Sequence, residues 1–417
     1  MSEMEFSSDS PAFYDEFQCI GSDCSDTCCA GWTISLSKKE HARYKNASSI
    51  KVRDIAKTKI QRFRGDGASD KFFSVMQLSE SGACNFLDRK GLCVIQSEMG
   101  EDALSHTCSM YPRAITEGKN GSGWHYRKSL ALSCPEAARL CLETATSISL
   151  SEVTMSADRP FLKKNYGVGS TGGLEESEYS AIERVMLGFS QNKEWSTLQK
   201  YLSLTVFLRQ LEASAPAGLA AVQGINVFNA SKITNDAIST METPLRTEDQ
   251  MLVLVQFVRA CFDAARLLAK DGRENKFTGF LSSAHDNLKD EDGTESLSVD
   301  NFESGLECVD NLILEAPFLR DNFISSELMR KLRMCANFAD IHKCIERVMV
   351  DWSIIRFVLA CNVISIMDQK EKKDMLVAIV AATCRAFEHN ATLWDQIFSS
   401  LGDSSEARSA KVGLLLT

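Results

Sequence analysis

"ADIHKCIERVMVDWSIIRFVLACNVI", residues Ala339–Ile364, settles the fold class, because apolar side chains recur every three or four positions along its whole length. That is the spacing of a helix buried over a broad face. The same period runs through "LECVDNLILEAPFL" (306–319) and "DMLVAIVAATCRAFEH" (374–389), with little strand-like alternation around them. Further upstream, Thr247 followed by Gln250 makes a capping-box pattern. Behind it Met251, Leu254, Val258, Cys261, Ala265 and Leu268 keep helical spacing up to Gly272. Residues from about 175 to 417 therefore read as all-helical, broken by a looser stretch near 213–246 and the charged linker "HDNLKDEDGTESLSVDN" (285–301).

The totals bound the rest. A chain of 417 residues exceeds what one hydrophobic core usually serves, so two domains are expected. With 44% hydrophobic and 24% charged residues the chain is not of the disordered class. A net charge of -10 argues against nucleic acid as a partner, since sequence-independent binding rests on Lys and Arg neutralising phosphates. The longest uncharged run, Ala213–Ser231, carries Pro216, Gly218, Gln223, Gly224, Asn226 and Asn229, so no transmembrane helix is expected. "MSEMEFSSDSPAFYDEF" at the start is acidic and has no apolar signal region, which predicts a cytoplasmic chain.

Between the halves, "NYGVGSTGGLEE" (165–176) matches G-x-G-x-x-G through Gly167, Gly169 and Gly172. The preceding "ADRPFLKKN" is no buried strand, so the stretch reads as a linker and not as a dinucleotide loop. The expected organisation is mainly α: a small loop-rich cysteine domain over 1–160, a Gly-rich linker over 161–175 and an all-helical domain over 176–417.

Fifteen cysteines in a reducing cytosol argue against a disulfide framework. Six of them, Cys261, Cys308, Cys335, Cys344, Cys361 and Cys384, are scattered through the helical half and read as small core hydrophobes. Eight others cluster as Cys19-x4-Cys24-x3-Cys28-Cys29 and, after 54 residues, Cys84-x8-Cys93-x14-Cys108-x25-Cys134. The later four sit in punctuated contexts, "SGACNF", "RKGLCVI", "SHTCSMYPR" and "LSCPEA", which suit thiolates presented from loops to a metal centre. Packing, disulfides and a lone nucleophile served by His41, His106 or His125 are the competing readings, and nothing singles out one thiol.

No spacing here is the C-x2-C of zinc knuckles, and Cys134-Pro135 repeats a ferredoxin habit. An iron–sulfur cluster is favoured, with zinc as the alternative. The C-x3-C-x2-C of radical S-adenosylmethionine enzymes begins at Cys24-x3-Cys28 but fails at the adjacent Cys29. In extended chain Cys28 and Cys29 would point to opposite faces, so the two are expected to do different jobs.

The order "SDCSDTCCAGW", "CNFLDRKGLCVIQSEMGEDALSHTCSMYPR" and "LSCPEAARL" resembles the flagellin lysine-N-methylase family of enteric bacteria. It is also similar to a wider group of zinc- or iron-chelating cysteine-rich domains, with a C…CC opening followed by C-x-FL, C-x-I and C-x-x-YP. The match covers about the first 140 residues, and the helical half fits in length and character. The resemblance implies an S-adenosylmethionine-dependent methyltransferase acting on surface lysines of flagellin, with a [4Fe-4S] cluster on the cysteine motif. It further implies peripheral membrane association and a homo-oligomer.

Methyl transfer to lysine sets a chemical demand, because holding the amine neutral at pH 7 costs about 4.6 kcal/mol when its ordinary pKa lies near 10.4. No residue is assignable as the base. Tyr111, His106 and Glu136 beside the candidate ligands read as structural, and Arg113 as an ordinary ion-pair or solvated charge. The alternative function is a non-enzymatic metal-binding module that senses redox state or binds a protein partner.

Overall fold

The computed structural model describes residues 6–30, 34–80, 82–120, 123–155, 169–170, 176–215, 253–254, 256–263, 276–287, 299–388, 391–402 and 404–416. The chain forms two compact units, one of Gln18–Arg113 with Cys134–Glu136, the other of Met1–Phe17, Ala114–Ser133 and Ala137–Thr417. This division differs from the expected 1–160, 161–175 and 176–417. The reason is strand pairing: Phe6–Pro11 lies parallel to Gly123–Leu130 and antiparallel to Leu150–Met155, so the chain's start and its 114–133 segment are claimed by one sheet.

That sheet has the order Leu150–Met155, Phe6–Pro11, Gly123–Leu130, Arg113–Asn120, Gly169–Ser170. The sequence carries no plain sign of it. Phe6–Pro11 reads "FSSDSP", with no apolar alternation, yet it is an interior strand whose Ser8 and Ser10 are buried. Gly169–Ser170, inside the expected linker, pairs in parallel with Thr116 and Glu117 and forms the sheet edge. Gly167 and Gly172 lie outside the described residues, as do Thr247 and Gln250 of the capping box.

The rest of the larger unit is helical, as its periodicity dictates. Its centre is the Phe338–Val363 helix, capped by Asn337, whose side chain accepts from the Asp340 amide at 2.9 Å. Helices Thr197–Ser214, Lys276–Asn287, Val299–Glu315, Phe318–Leu332, Gln369–Glu388 and Ser405–Leu415 pack around it. A helix wrapped on nearly all sides is apolar all round, and Trp352, Ile354, Val358 and Leu359 are buried here.

Charge in this core is paired. Glu327, 1% exposed, accepts from Arg330 at 2.7 Å and Lys331 at 2.6 Å, and Lys331 also reaches Asp351 at 3.3 Å. Together these residues tie Phe318–Leu332 to the central helix without leaving a buried charge alone. Cys261, Cys335, Cys344, Cys361 and Cys384 are buried as expected, whereas Cys308 is half-buried. No helix among the described residues is long and apolar enough to cross a membrane.

The smaller unit has a three-stranded sheet, Ile34–Leu36, Ser74–Met76, Ile60–Arg62, with both pairings antiparallel. Ser37 and Glu40 close a capping box on the Lys38–Lys45 helix. The other carboxylate oxygen of Glu40 accepts the His106 amide at 2.6 Å, so one buried side chain joins two helices. Ile34, Leu36, Tyr44, Val52, Phe86 and Val94 form the core, and the Tyr44 hydroxyl donates to the Ala103 carbonyl at 2.7 Å.

Candidate functional site

The eight clustered cysteines, Cys19, Cys24, Cys28, Cys29, Cys84, Cys93, Cys108 and Cys134, all belong to the smaller unit. Local sequence explains how they are brought together. The Cys84 amide donates to the Cys29 carbonyl at 2.7 Å, and Ala30 bridges Ala83, which lays the first cluster against the second. Asp88 accepts the Lys90 and Leu92 amides at 2.8 and 3.0 Å, and Gly91 takes a φ of 75° that its missing Cβ permits. The resulting turn pairs Leu87 with Cys93.

Cys93 then precedes the Val94–Met99 helix, and Cys108 lies in the first turn of His106–Met110, where its amide donates to Ser105 at 3.2 Å. Cys134 is buried just before the Pro135–Glu143 helix, with proline in the first helical position that suits it.

Four thiols, Cys29, Cys84, Cys93 and Cys108, pack on the same hydrophobic core. The thiol of Cys29 is pushed up by its hydrogen bond with Cys28, by burial and by the charges of Cys28, Cys108 and Cys84. Burial raises Cys108 to about 12, and Cys93, Cys84 and Cys28 add to it. Cys84 is raised by burial and then by Cys93 and Cys28. Cys24, raised first by burial, also feels Cys28 and Cys19. Cys24, Cys29, Cys84 and Cys108 thus each feel at least one neighbouring thiol that opposes their ionisation.

The chain bends at Cys28 and Cys29 instead of running extended, and the two thiols are hydrogen-bonded to each other. Only extended backbone puts successive side chains on opposite faces.

Among the described residues, no three His, Cys, Asp or Glu side chains already surround a point suited to a metal ion. The donor set nevertheless fits an iron–sulfur cluster. Soft thiolates are its ligands, and a cluster is held by four of them, the number that pack on this core.

The histidines weighed as nucleophile partners are otherwise engaged. His41 Nδ1 lies 2.9 Å from Ser74 Oγ; His106 is held through its backbone amide, which donates to Glu40 and leaves its ring out of that bond. His125 is buried between Ser7, 2.8 Å from its Nδ1, and Asp9, 2.9 Å from its Nε2.

That last contact opens a site that sequence reading missed. Asp9 also meets Arg127 at 2.8 Å; Arg127 is paired with Glu183, and Glu183 accepts from Arg333 at 3.0 Å. Asp9, His125, Arg127 and Glu183 line a cavity of about 580 Å3 within the larger unit. The usable signal was Asn120-Gly121 between two strand-like runs, a hairpin mark that would have put His125 and Arg127 on a strand.

Residues 184–412 match the family of the FliB lysine N-methylase C-terminal domain. The chain is 37% identical over 145 residues to a lysine-N-methylase of Salmonella typhimurium strain LT2, covering 35% of each protein. It is 35% identical over 156 residues to the flagellar biosynthetic protein FliU of Salmonella muenchen, 37% of this chain and 89% of that one. The alignment thus spans about a third of the length of the lysine-N-methylase. No solved structure matches. With more than half of its length matched by that domain, the chain belongs to the FliB lysine N-methylase family.

Proposed function

We propose that this chain is an S-adenosylmethionine-dependent protein-lysine N-methyltransferase that acts on flagellin in the cytoplasm and needs an iron–sulfur cluster for methyl transfer. Lysine methylation is supported by the family. The observation that carries the cluster is the packing of Cys29, Cys84, Cys93 and Cys108 on one core, with Cys28 hydrogen-bonded to Cys29.

Five neighbouring thiols exceed what packing needs, and a bound cationic centre would reverse the electrostatic cost of ionising them together. When bound, the cluster supplies a redox-active or Lewis-acidic centre. The protein's own part is to hold the thiols at fixed places: the Asp88 turn sets Cys93 against Leu87, and Ser105 anchors the turn that carries Cys108.

The test is purification without oxygen, followed by iron, sulfide and zinc analysis and visible absorption. Flagellin and methyl-labelled S-adenosylmethionine are then added. Iron and sulfide in stoichiometric amount together with labelled lysine are the expected result. Zinc without iron would remove the cluster, and an intact cluster without labelled lysine would make the chain a redox sensor instead.

A further inference from the structure

The cavity beside Asp9 and His125 has no part in the cysteine site, and its wall is unusual. Arg127 is 2% exposed and Glu183 1%, and the two are paired through Arg127 Nη2 and Glu183 Oε2. Arg127 Nε and Nη1, together with Glu183 Oε1, are buried with no hydrogen-bond partner among the described residues.

Each such buried orphan costs about 1–3 kcal/mol, and an apolar pair of the same volume would serve the fold at least as well. A cation and an anion that each keep unused hydrogen-bonding capacity on one cavity wall complement a ligand that carries both charges. The smallest common group of that kind is an α-amino carboxylate.

The remaining wall agrees. Ile148 and Leu187 contribute apolar surface, and at Gly188 no heavy atom lies within 4 Å of where a Cβ would stand. A cavity of about 580 Å3 is the size that takes a nucleoside-sized ligand. The orphaned atoms are covered, so a ligand engages them through a rotamer turn of the two side chains toward the cavity.

We infer that this cavity binds an amino-acid group, its carboxylate on Arg127 and its ammonium on Glu183. Resting on the function proposed above, the inference makes that group the methionine portion of the methyl donor. Asp9 and His125 stand on the same wall, and Asp9 is joined both to the guanidinium of Arg127 and to His125.

The test compares two probes on the full chain by titration calorimetry: S-adenosylhomocysteine, which carries the amino-acid group, and 5′-methylthioadenosine, which lacks it. The first should bind the wild type about tenfold or more tighter, one charge-assisted contact being worth that much. Arg127→Gln should erase the difference. Gly188→Leu, which fills open space without touching a charge, should weaken S-adenosylhomocysteine about tenfold or more while circular dichroism and melting stay close to wild type.

Equal binding of the two probes by the wild type, or unchanged binding by folded Gly188→Leu, overturns the assignment. Labelled transfer to flagellin reads the function separately. Transfer retained by both variants places the donor elsewhere and leaves the methyltransferase standing, whereas a wild type that neither binds S-adenosylhomocysteine nor transfers label loses both readings.

Discussion

Asp9 shows how much a single side chain carries in this chain. Burial by itself would raise its carboxyl, but the hydrogen bond from His125 and the charges of Arg127, His125 and Arg333 outweigh it and hold the group below its ordinary value of 3.8. A carboxylate whose folded pKa is depressed stabilises the fold fully above its unfolded value and loses that contribution as pH falls through the folded value. The wild type should therefore lose stability below about pH 4, and Asp9→Asn should show a shallower acid limb. At pH 7 the variant should be less stable by about 2 kcal/mol. Superimposable acid limbs in pH-dependent melts would refute the role.

Among the cysteines, exposure separates Cys19 from Cys108, which packs on the core. Four thiolates suffice for a cluster. Cys108→Ser should therefore lose nearly all bound iron and Cys19→Ser should keep most of it, as iron analysis of anaerobic preparations would tell. Equal loss in both would mean that the ligand set is not the one centred on the core.

Among the elements, the crossing of Val299–Glu315 over Phe338–Val363 is the tightest constraint. A Cβ on Gly305 would stand 2.1 Å from the Ala360 carbonyl oxygen, a backbone atom that cannot move alone. Gly305→Ala should cost about 2 kcal/mol or more, seen as a lowered melting temperature. Gly188→Ala, on a helix with open space at the Cβ, should be neutral or stabilising by about 0.5–1 kcal/mol. Equal effects at the two glycines would mean that helix propensity and not close approach governs both.

The helices themselves were legible, because the 3.6-residue period of Phe338–Val363 is written in one continuous stretch. The caps at Ser37 and Ser196 carry Ser-x-x-Glu and Ser-x-x-Gln, a local pattern not singled out from the sequence. Phe6–Pro11 was not readable: a polar segment becomes an interior strand only because Trp124–Arg127 and Leu150–Met155 hydrogen-bond to it.

For the whole molecule, the cysteine site belongs to the smaller unit, whose core is slight beside that of the helical unit. Metal binding to such a unit is also folding energy for it. Removing the cluster with chelator and oxygen should make residues 18–113 markedly more sensitive to limited proteolysis, while 299–388 stays protected, as peptide mass spectrometry would show. Equal protection of 18–113 with and without the cluster would mean that the thiols do not share in holding that unit.

The sequence by itself determined the helical half and marked out the eight clustered cysteines that share the smaller unit. Both are matters of composition and spacing along the chain: a repeated period, and thiols in punctuated loops. Only the tertiary structure decided that Cys28 and Cys29 meet, and that Asp9, His125, Arg127 and Glu183 share a cavity wall. Those contacts join residues 56 positions apart, as Arg127 and Glu183, or 116, as Asp9 and His125, or depend on a local bend, and neither strand pairing nor a bend at two adjacent cysteines leaves a period to read.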